Sequence, residues 1–201
     1  KNVKISKKKN RQKSIGKPIF VAAMLGIMTV GGAGSICIAG TYNITNQMEE
    51  LLENKKILTL ANSRYMLIEL PLATNVKYFD YVVYYLEAKG IKPIIAHPER
   101  YKCVQKDPDI VEEYIEKGCL IQCNYGSIVN LYGREAEKTI KTLLKKNQVH
   151  FLGSDVHREN GTYLIILDAI KKIRKIIGEN KINEITTINP KKILQNEEWQ
   201  Y

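Results

Sequence analysis

The chain has 201 residues, 44% of them hydrophobic, and a formal net charge of +10. The first 17 residues hold eight Lys or Arg residues and no acid, so the remainder carries 23 bases against 21 acids, a net charge of +2. The length suffices for one core of ordinary size. The near-neutral remainder excludes a broad basic surface of the kind that binds nucleic acid.

An uncharged run follows the basic tail. Residues 19–40 contain no charged side chain and are long enough to span a bilayer as a helix, although five glycines dilute the run. Three interpretations stay open: a membrane anchor, a cleaved signal peptide, or a stretch outside the normal architecture of which only the end, 35–40, is a core strand. The chain therefore divides into a basic tail (1–18), an apolar segment (19–40) and a globular domain (41–201).

Predicted strands and helices alternate through the globular domain. A short helix is expected from Thr45, followed by strands at 64–70, 91–96, 119–124 and 149–153. Helices are expected at 75–89, 107–118, 134–147 and 163–177, with two closing helical pieces at 182–188 and 190–194. The strands are short and continuously apolar, which is typical of a parallel sheet covered on both faces. We predict an α/β fold, either an open sheet or a barrel, with its chemistry at the carboxyl ends of the strands.

Four candidate metal ligands lie at or just past predicted strand ends: Glu69, His97, Asp155 and His157. Carboxylates and imidazoles together suit Mn, Fe or Zn. Each has a structural alternative, such as a solvated strand end for Glu69, a turn for His97, or a helix cap for Asp155. His150 begins its strand and is assigned to structure.

An arginine follows the first of these histidines by three residues. Arg100 is suited to bind a phosphate group in bidentate fashion, and the alternative is an ion pair with Glu99 or another acid. Arg158 is a second candidate for phosphate binding. The tyrosines of this region, Tyr132 among them, are expected to pack rather than to recognise a ligand.

The four cysteines exclude one class of phosphatase. None is followed six residues later by Arg, so the thiolate and phosphate loop of the cysteine-dependent phosphatases is absent from the sequence. No pair has the Cys-x-x-Cys spacing of a zinc site. Cys119 and Cys123 flank an apolar run and are expected to be buried thiols in a reducing compartment, which favours a cytoplasmic domain.

Taken together, these residues resemble the bacterial tyrosine phosphatases of the PHP (polymerase and histidinol phosphatase) superfamily, which are encoded with capsule and exopolysaccharide synthesis genes. The resemblance runs from about residue 42 to 194 and rests on segments 62–69 (NSRYMLIE), 94–101 (IIAHPERY), 124–127 (NYGS), 151–157 (FLGSDVH) and 189–194 (NPKKIL).

The resemblance implies a distorted (β/α)7 barrel with a cluster of metal ions at its mouth, usually Mn2+, with other divalent metals as alternatives. These metals activate water and bind the phosphate of phosphotyrosine without a covalent cysteine intermediate. By position, Glu69, His97, Asp155 and His157 match metal ligands of the family, and Arg100 matches an arginine that meets the phosphate. The implied substrate is the tyrosine-rich tail of a bacterial tyrosine kinase that controls polysaccharide export.

The sequence departs from the family pattern near its start. The family has a His-x-His and further ligands ahead of the counterpart of Glu69, whereas no histidine precedes Glu69 here, and Thr162 stands where the family often has arginine. We therefore expect an incomplete PHP-type (β/α)7 barrel preceded by a basic tail and an apolar segment. The hypotheses are a phosphotyrosine phosphatase, an impaired and truncated paralogue acting as a membrane-tethered binding or scaffold module, and an unrelated N-terminus joined to a phosphatase tail.

Overall fold

A computed structural model of the protein describes residues 35–37, 59–70, 79–155 and 162–200. Five parallel strands form one sheet: β1 (Ser35–Cys37), β2 (Tyr65–Glu69), β3 (Lys92–Ala96), β4 (Leu120–Asn124) and β5 (Phe151–Gly153). The strands lie in the sheet in chain order, which is the order of a (β/α) barrel, because a doubly wound sheet reverses its order at a switch point. Within the described part of the chain, β1 and β5 are the two edges. The four strands predicted from residue 64 onward are confirmed to within two residues.

Helices connect the strands and follow the last one. They are α1 (Phe79–Ala88), α2 (Lys102–Lys106), α3 (Ile110–Glu116), α4 (Tyr125–Ile128), α5 (Arg134–Lys145), α6 (Thr162–Asn183) and α7 (Asn189–Leu194). Short 3-10 turns lie at Leu60–Asn62 and Pro98–Arg100, and a π-helical turn lies at Glu184–Ile188. The sequence did not predict α2 and α4, because helices of five and four residues are too short to show periodicity. The helix expected at Thr45 and the start of the one at 75–89 lie outside the described residues.

Two glycines end the helices that precede β3 and β4. Gly90 has a φ of 72° and Gly118 a φ of 89°, the left-handed region that glycine adopts without a steric penalty. At Gly118 a Cβ atom would also lie 2.1 Å from Oε1 of Glu87, so a larger residue would require the end of that side chain to move.

Alternate residues of strands β2 to β5 face two different hydrophobic clusters, as the period of two requires. Met66 and Ile68 belong to the larger cluster, which packs beneath the helices. Tyr65 and Leu67 belong to a smaller cluster on the opposite face, and there Ile193 of α7 packs against them. Burial on both faces explains why the strands read as continuous apolar runs. The helices thus hold the sheet rigid, which sets the positions of the strand ends.

The first strand lies inside the apolar segment. Ser35–Cys37 pairs with β2 in parallel, with Ser35 opposite Leu67, at the place where one of the three interpretations puts a core strand. The other residues of 19–40 lie outside the described ranges. In the described part of the chain, no helix is both long enough and apolar enough to cross a membrane. Cys119 and Cys123 are fully buried free thiols, as expected.

Candidate active site

Polar residues from four neighbouring strands meet at one edge of the sheet. Glu69 ends β2, His97 follows β3, Asn124 ends β4, and Asp155 lies two residues past β5. Because all of these strands are parallel, their carboxyl ends lie on the same side of the sheet, and the side chains converge there. Glu69, His97 and Asp155 therefore lie along one edge of the sheet, with Glu69 beside His97 and Asp155 beside Arg100, while His157 and the predicted phosphate ligand Arg158 lie outside the described residues.

Glu69 and His97 form a pair across β2 and β3. Nε2 of His97 lies 3.4 Å from Oε1 of Glu69, and the imidazole is 5% exposed. Nδ1 of His97 is buried without a hydrogen-bond partner, which is rare for a buried polar atom and calls for an explanation such as an absent ligand. Nε2 and the Glu69 carboxylate beside it are the nitrogen and oxygen donor types that a divalent metal accepts.

A buried tyrosine, Tyr101, packs beside His97 and links the strand ends that carry this pair. The hydroxyl of Tyr101 donates a hydrogen bond to the carbonyl of Ala96 (2.6 Å) and accepts one from the backbone N–H of Leu70 (2.9 Å). These bonds tie the chain after β2 to the end of β3. The Tyr101 ring also meets the His97 ring edge-on, with 5.9 Å between centroids. Burial raises the pKa of Tyr101 well above its usual range, so the hydroxyl stays protonated and can donate.

Backbone strain marks two of the predicted ligands. His97 has a φ of 36° and Asp155 a φ of 49°, both in the left-handed region that residues with a Cβ rarely adopt. Such outliers cost on the order of 1–3 kcal/mol each and are concentrated at functional sites. Five other described residues, Ala61 and four asparagines, also have a positive φ, so this backbone conformation is compatible with a functional role for this edge but does not single it out.

Arg100 forms an ion pair with Asp155. Its Nη1 donates to Oδ2 of Asp155 over 2.7 Å, and Nδ2 of Asn124 donates to the same oxygen over 2.9 Å. The guanidinium carbon lies 4.3 Å from the centre of the Tyr132 ring. The ion pair expected as an alternative is therefore present, with Asp155 rather than Glu99 as the acid. Burial and the Asp155 carboxylate raise the pKa of Tyr132 to about 12.

Glu99 is a fully buried acid that the sequence reasoning treated only as a partner for Arg100. Its Oε1 accepts hydrogen bonds from the backbone N–H of Asn124 (2.9 Å) and the hydroxyl of Ser127 (2.6 Å). Glu99 thereby links the turn after β3 to the start of α4. Burial, and then the neighbouring Glu99, raise the pKa of the Cys123 thiol well above its usual value, so Cys123 is not a nucleophile.

The sequence did not single out Asn124 as a site residue, and it predicted only a packing role for Tyr132. Asn124 stands at the carboxyl end of its strand, as the predicted ligands do on theirs, and that position is a signal that could have identified it. Tyr132 lies in the loop between α4 and α5 and reaches Arg100 only in the folded chain. No sequence spacing points to that contact.

The described residues supply part of a metal site. Glu69 and His97 fit a divalent cation by donor type, but no group of three or more His, Cys, Asp or Glu residues within the described ranges is arranged to hold one. Oδ2 of Asp155 is engaged by Arg100 and Asn124. The assignment of Glu69, His97, Asp155 and His157 as metal ligands therefore stays a prediction.

Comparison with known proteins identifies relatives across most of the chain. The chain is 29% identical over 154 residues to the tyrosine-protein phosphatase YwqE of Bacillus subtilis, covering 77% of this chain and 60% of that protein. It is 31% identical over 166 residues to the tyrosine-protein phosphatase CpsB of Streptococcus agalactiae, covering 80% of this chain and 68% of that protein. The chain thus spans about three fifths to two thirds of the length of these relatives.

The fold agrees with these relatives. Crystal structures of YwqE from Bacillus subtilis and CpsB from Streptococcus pneumoniae, described as unique metal-dependent tyrosine phosphatases, match with a TM-score of 0.74 at 27% identity, over 84% of this chain and 65% of the matched one. Residues 36–195 match the family of capsular polysaccharide synthesis proteins CpsB/CapC. The chain therefore belongs to the CpsB/CapC family, as the resemblance in its motifs predicted.

Proposed function

We propose that this chain hydrolyses phosphotyrosine on a protein with the help of a divalent metal, Mn2+ by family resemblance. The observation that carries the proposal is the convergence of Glu69, His97, Arg100 and Asp155 at the carboxyl edge of the sheet. Its relatives are named tyrosine-protein phosphatases, and the matched crystal structures are described as metal-dependent. These names support the proposal, although the chain covers only part of each relative.

Glu69 and His97 would hold the metal, with Asp155 and His157 as the further predicted ligands. A divalent metal bound there would supply activated water and would neutralise charge on the phosphoryl oxygens. Nε2 of His97 and the partly exposed Glu69 carboxylate, 3.4 Å apart, supply a nitrogen and an oxygen donor at this edge of the sheet.

The side chains themselves would bind and orient the phosphate. Arg100 presents a planar guanidinium with several N–H donors, which suits bidentate binding of phosphoryl oxygens. Asp155 holds one edge of that guanidinium at 2.7 Å and keeps it at the mouth of the site. Asn124 donates to Asp155 and fixes the carboxylate in turn. Cys123, the thiol at the end of β4, takes no part as a nucleophile, because it is fully buried and its pKa is raised.

The substrate that we propose is a bacterial tyrosine kinase regulating capsule or exopolysaccharide synthesis. Membership of the capsular polysaccharide synthesis family supports this choice. The alternative is a catalytically impaired chain that binds phosphotyrosine as a membrane-tethered scaffold. Two observations support this alternative. Arg100 occupies the Asp155 carboxylate, and the described residues do not form a complete group of metal ligands.

The test compares the same substitution at two histidines of the full chain. Asparagine tolerates the left-handed backbone of residue 97, so His97→Asn removes the imidazole without added strain. We expect hydrolysis of an aryl phosphate to depend on added Mn2+ and to be lost in His97→Asn, together with bound manganese measured by mass spectrometry. His150→Asn, on the opposite edge of the sheet, is the matched control and should keep both.

Each other outcome has a defined meaning. A folded chain that binds a phosphotyrosine peptide but never releases phosphate at any Mn2+ concentration would support the scaffold alternative. Hydrolysis that survives in His97→Asn would contradict the assignment of this site.

A further inference from the structure

The arginine that is proposed to bind phosphate lies over the ring of Tyr132. The Arg100 guanidinium carbon is 4.3 Å from the centre of the Tyr132 ring, well within the range of a cation–π contact. One N–H edge of the same guanidinium is bound to Asp155. The ring therefore restrains the guanidinium face while Asp155 restrains its edge.

A glycine makes room for this ring. A Cβ atom at Gly126 would lie 2.8 Å from Cε2 of Tyr132 and 2.9 Å from Cδ2 of Leu131, so any side chain there would displace the loop. Gly126 sits in α4, whose first turn is tied to the buried carboxyl group of Glu99 through Asn124 and Ser127. The Tyr132 ring therefore packs against α4, which is buried and held by hydrogen bonds.

The two restraints on Arg100 differ in what a bound anion would do to them. A phosphate would compete directly with the Asp155 carboxylate for the guanidinium N–H groups, because both are oxygen acceptors. The face of the guanidinium makes no hydrogen bonds, so stacking on a ring remains compatible with phosphate binding at the edge. The ring is the restraint that can persist when the edge changes partner.

We propose that Tyr132 is a positioning residue that holds the plane of the Arg100 guanidinium so that its edge can pass from Asp155 to a phosphoryl group. The inference deepens the proposed function and rests on Arg100 being the phosphate-binding residue. We assign this role to the aromatic ring and not to the hydroxyl, which hydrogen-bonds to Asp155. Phenylalanine should therefore replace Tyr132, whereas leucine should not.

The test measures Arg100 directly and needs no turnover. The full chain is labelled with phenylglyoxal, which modifies accessible arginines, and the rate at each arginine is read by peptide mass spectrometry with and without inorganic phosphate. We expect Tyr132→Leu to raise the rate at Arg100 and the phosphate concentration needed for protection, each by about threefold, the scale of an exposed cation–π contact. Tyr132→Phe should stay near the unaltered chain.

Internal and matched controls separate positioning from stability. Arg64 and Arg174 lie elsewhere, with Asn196 and Glu179 as their partners, and their labelling rates should be the same in every variant. Tyr84→Leu makes the same change at a tyrosine that is 73% exposed on α1, and it should leave Arg100 unaffected.

Two results would overturn the inference. One is an unchanged rate and unchanged protection at Arg100 in Tyr132→Leu, and the other is a Tyr132→Phe variant that behaves like the leucine variant. If phosphate fails to protect Arg100 in the unaltered chain, the proposed function fails separately, while the labelling rates still decide whether Tyr132 restrains Arg100.

Discussion

Two histidines stand at opposite edges of the same sheet and have opposite surroundings. His97 follows β3 at the carboxyl edge, has a left-handed backbone, and has a buried Nδ1 atom without a partner. His150 precedes β5 at the amino edge, where its Nδ1 accepts the backbone N–H of Ile121 over 3.0 Å. The Trp199 ring covers His150 edge-on, with 5.5 Å between centroids.

The position of a histidine along its strand is therefore not enough to assign its role. The hydrogen bonding of its ring nitrogens is the better guide. His150 uses its ring nitrogen to complete the sheet edge, and burial together with the charge of Lys181 lowers its pKa to about 4. His97 places Nε2 beside Glu69 and leaves Nδ1 without a hydrogen-bond partner. We therefore assign His150 to stability and His97 to chemistry, and the predictions below test that division.

The largest effect is expected on turnover at the carboxyl edge. His97→Asn should lower aryl-phosphate hydrolysis by ~10²-fold or more, the scale seen when one group that stabilises a transition state is removed. Its thermal unfolding midpoint should stay close to that of the unaltered chain. Activity assays and thermal unfolding of both histidine variants measure this. Loss of turnover in His150→Asn without loss of structure would break the comparison.

The next effect concerns the buried acid beneath the site. Glu99→Ala should lower the free energy of unfolding by about 3 kcal/mol, because two buried donors, the Asn124 N–H and the Ser127 hydroxyl, lose their acceptor. Denaturant unfolding measures the change. Glu99→Gln retains an acceptor oxygen and should lose less. Equal stability of the alanine variant and the unaltered chain would show that water replaces the carboxyl group.

A smaller effect depends on pH at the amino edge. Above the unfolded-state pKa of about 6.5, His150 is neutral in both the folded and the unfolded chain. In that range it makes its full contribution to the free energy of unfolding. As pH falls toward the folded value of about 4, the unfolded chain binds a proton that the folded chain excludes, so the free energy of unfolding falls by about 2 kcal/mol.

His150→Asn is the control for this dependence, since its side-chain oxygen can accept the Ile121 N–H but does not titrate. Unfolding of both chains is compared between pH 7 and pH 5, where most carboxyl groups have not yet titrated. The unaltered chain should lose stability faster as pH falls. Parallel profiles would mean that His150 binds a proton in the folded state.

The smallest effect is expected for the hydroxyl beneath His97. Tyr101→Phe removes the bonds to the Leu70 N–H and the Ala96 carbonyl and should cost about 1 kcal/mol of stability. The ring and its edge contact with His97 remain. A drop in turnover much larger than the drop in stability would show that this bond also sets the geometry of His97. Chemical denaturation and activity assays of the same preparation separate the two.

The alternation of strands and helices, the parallel sheet and the carboxyl edge as the place of the candidate site could all be predicted from the sequence. Continuous apolar runs and helical periodicity are local patterns, and the convergence of strand ends follows from parallel pairing alone. The sequence therefore predicts Glu69, His97, Arg100 and Asp155 as candidate site residues. The short helices α2 and α4 escaped because they have no periodicity to detect.

Only the tertiary structure decided how these residues are partnered. Arg100 meets an acid 55 positions further along the chain, not its neighbour Glu99, and Tyr132 meets Arg100 across a loop. The Glu99 side chain points inward because two hydrogen-bond donors at the start of α4 bind its carboxylate. Those donors belong to a different segment of the chain, so the local sequence around Glu99 does not reveal them. Residue types and strand order are properties of the chain, whereas hydrogen-bond partners depend on distances that exist only after the segments have packed together.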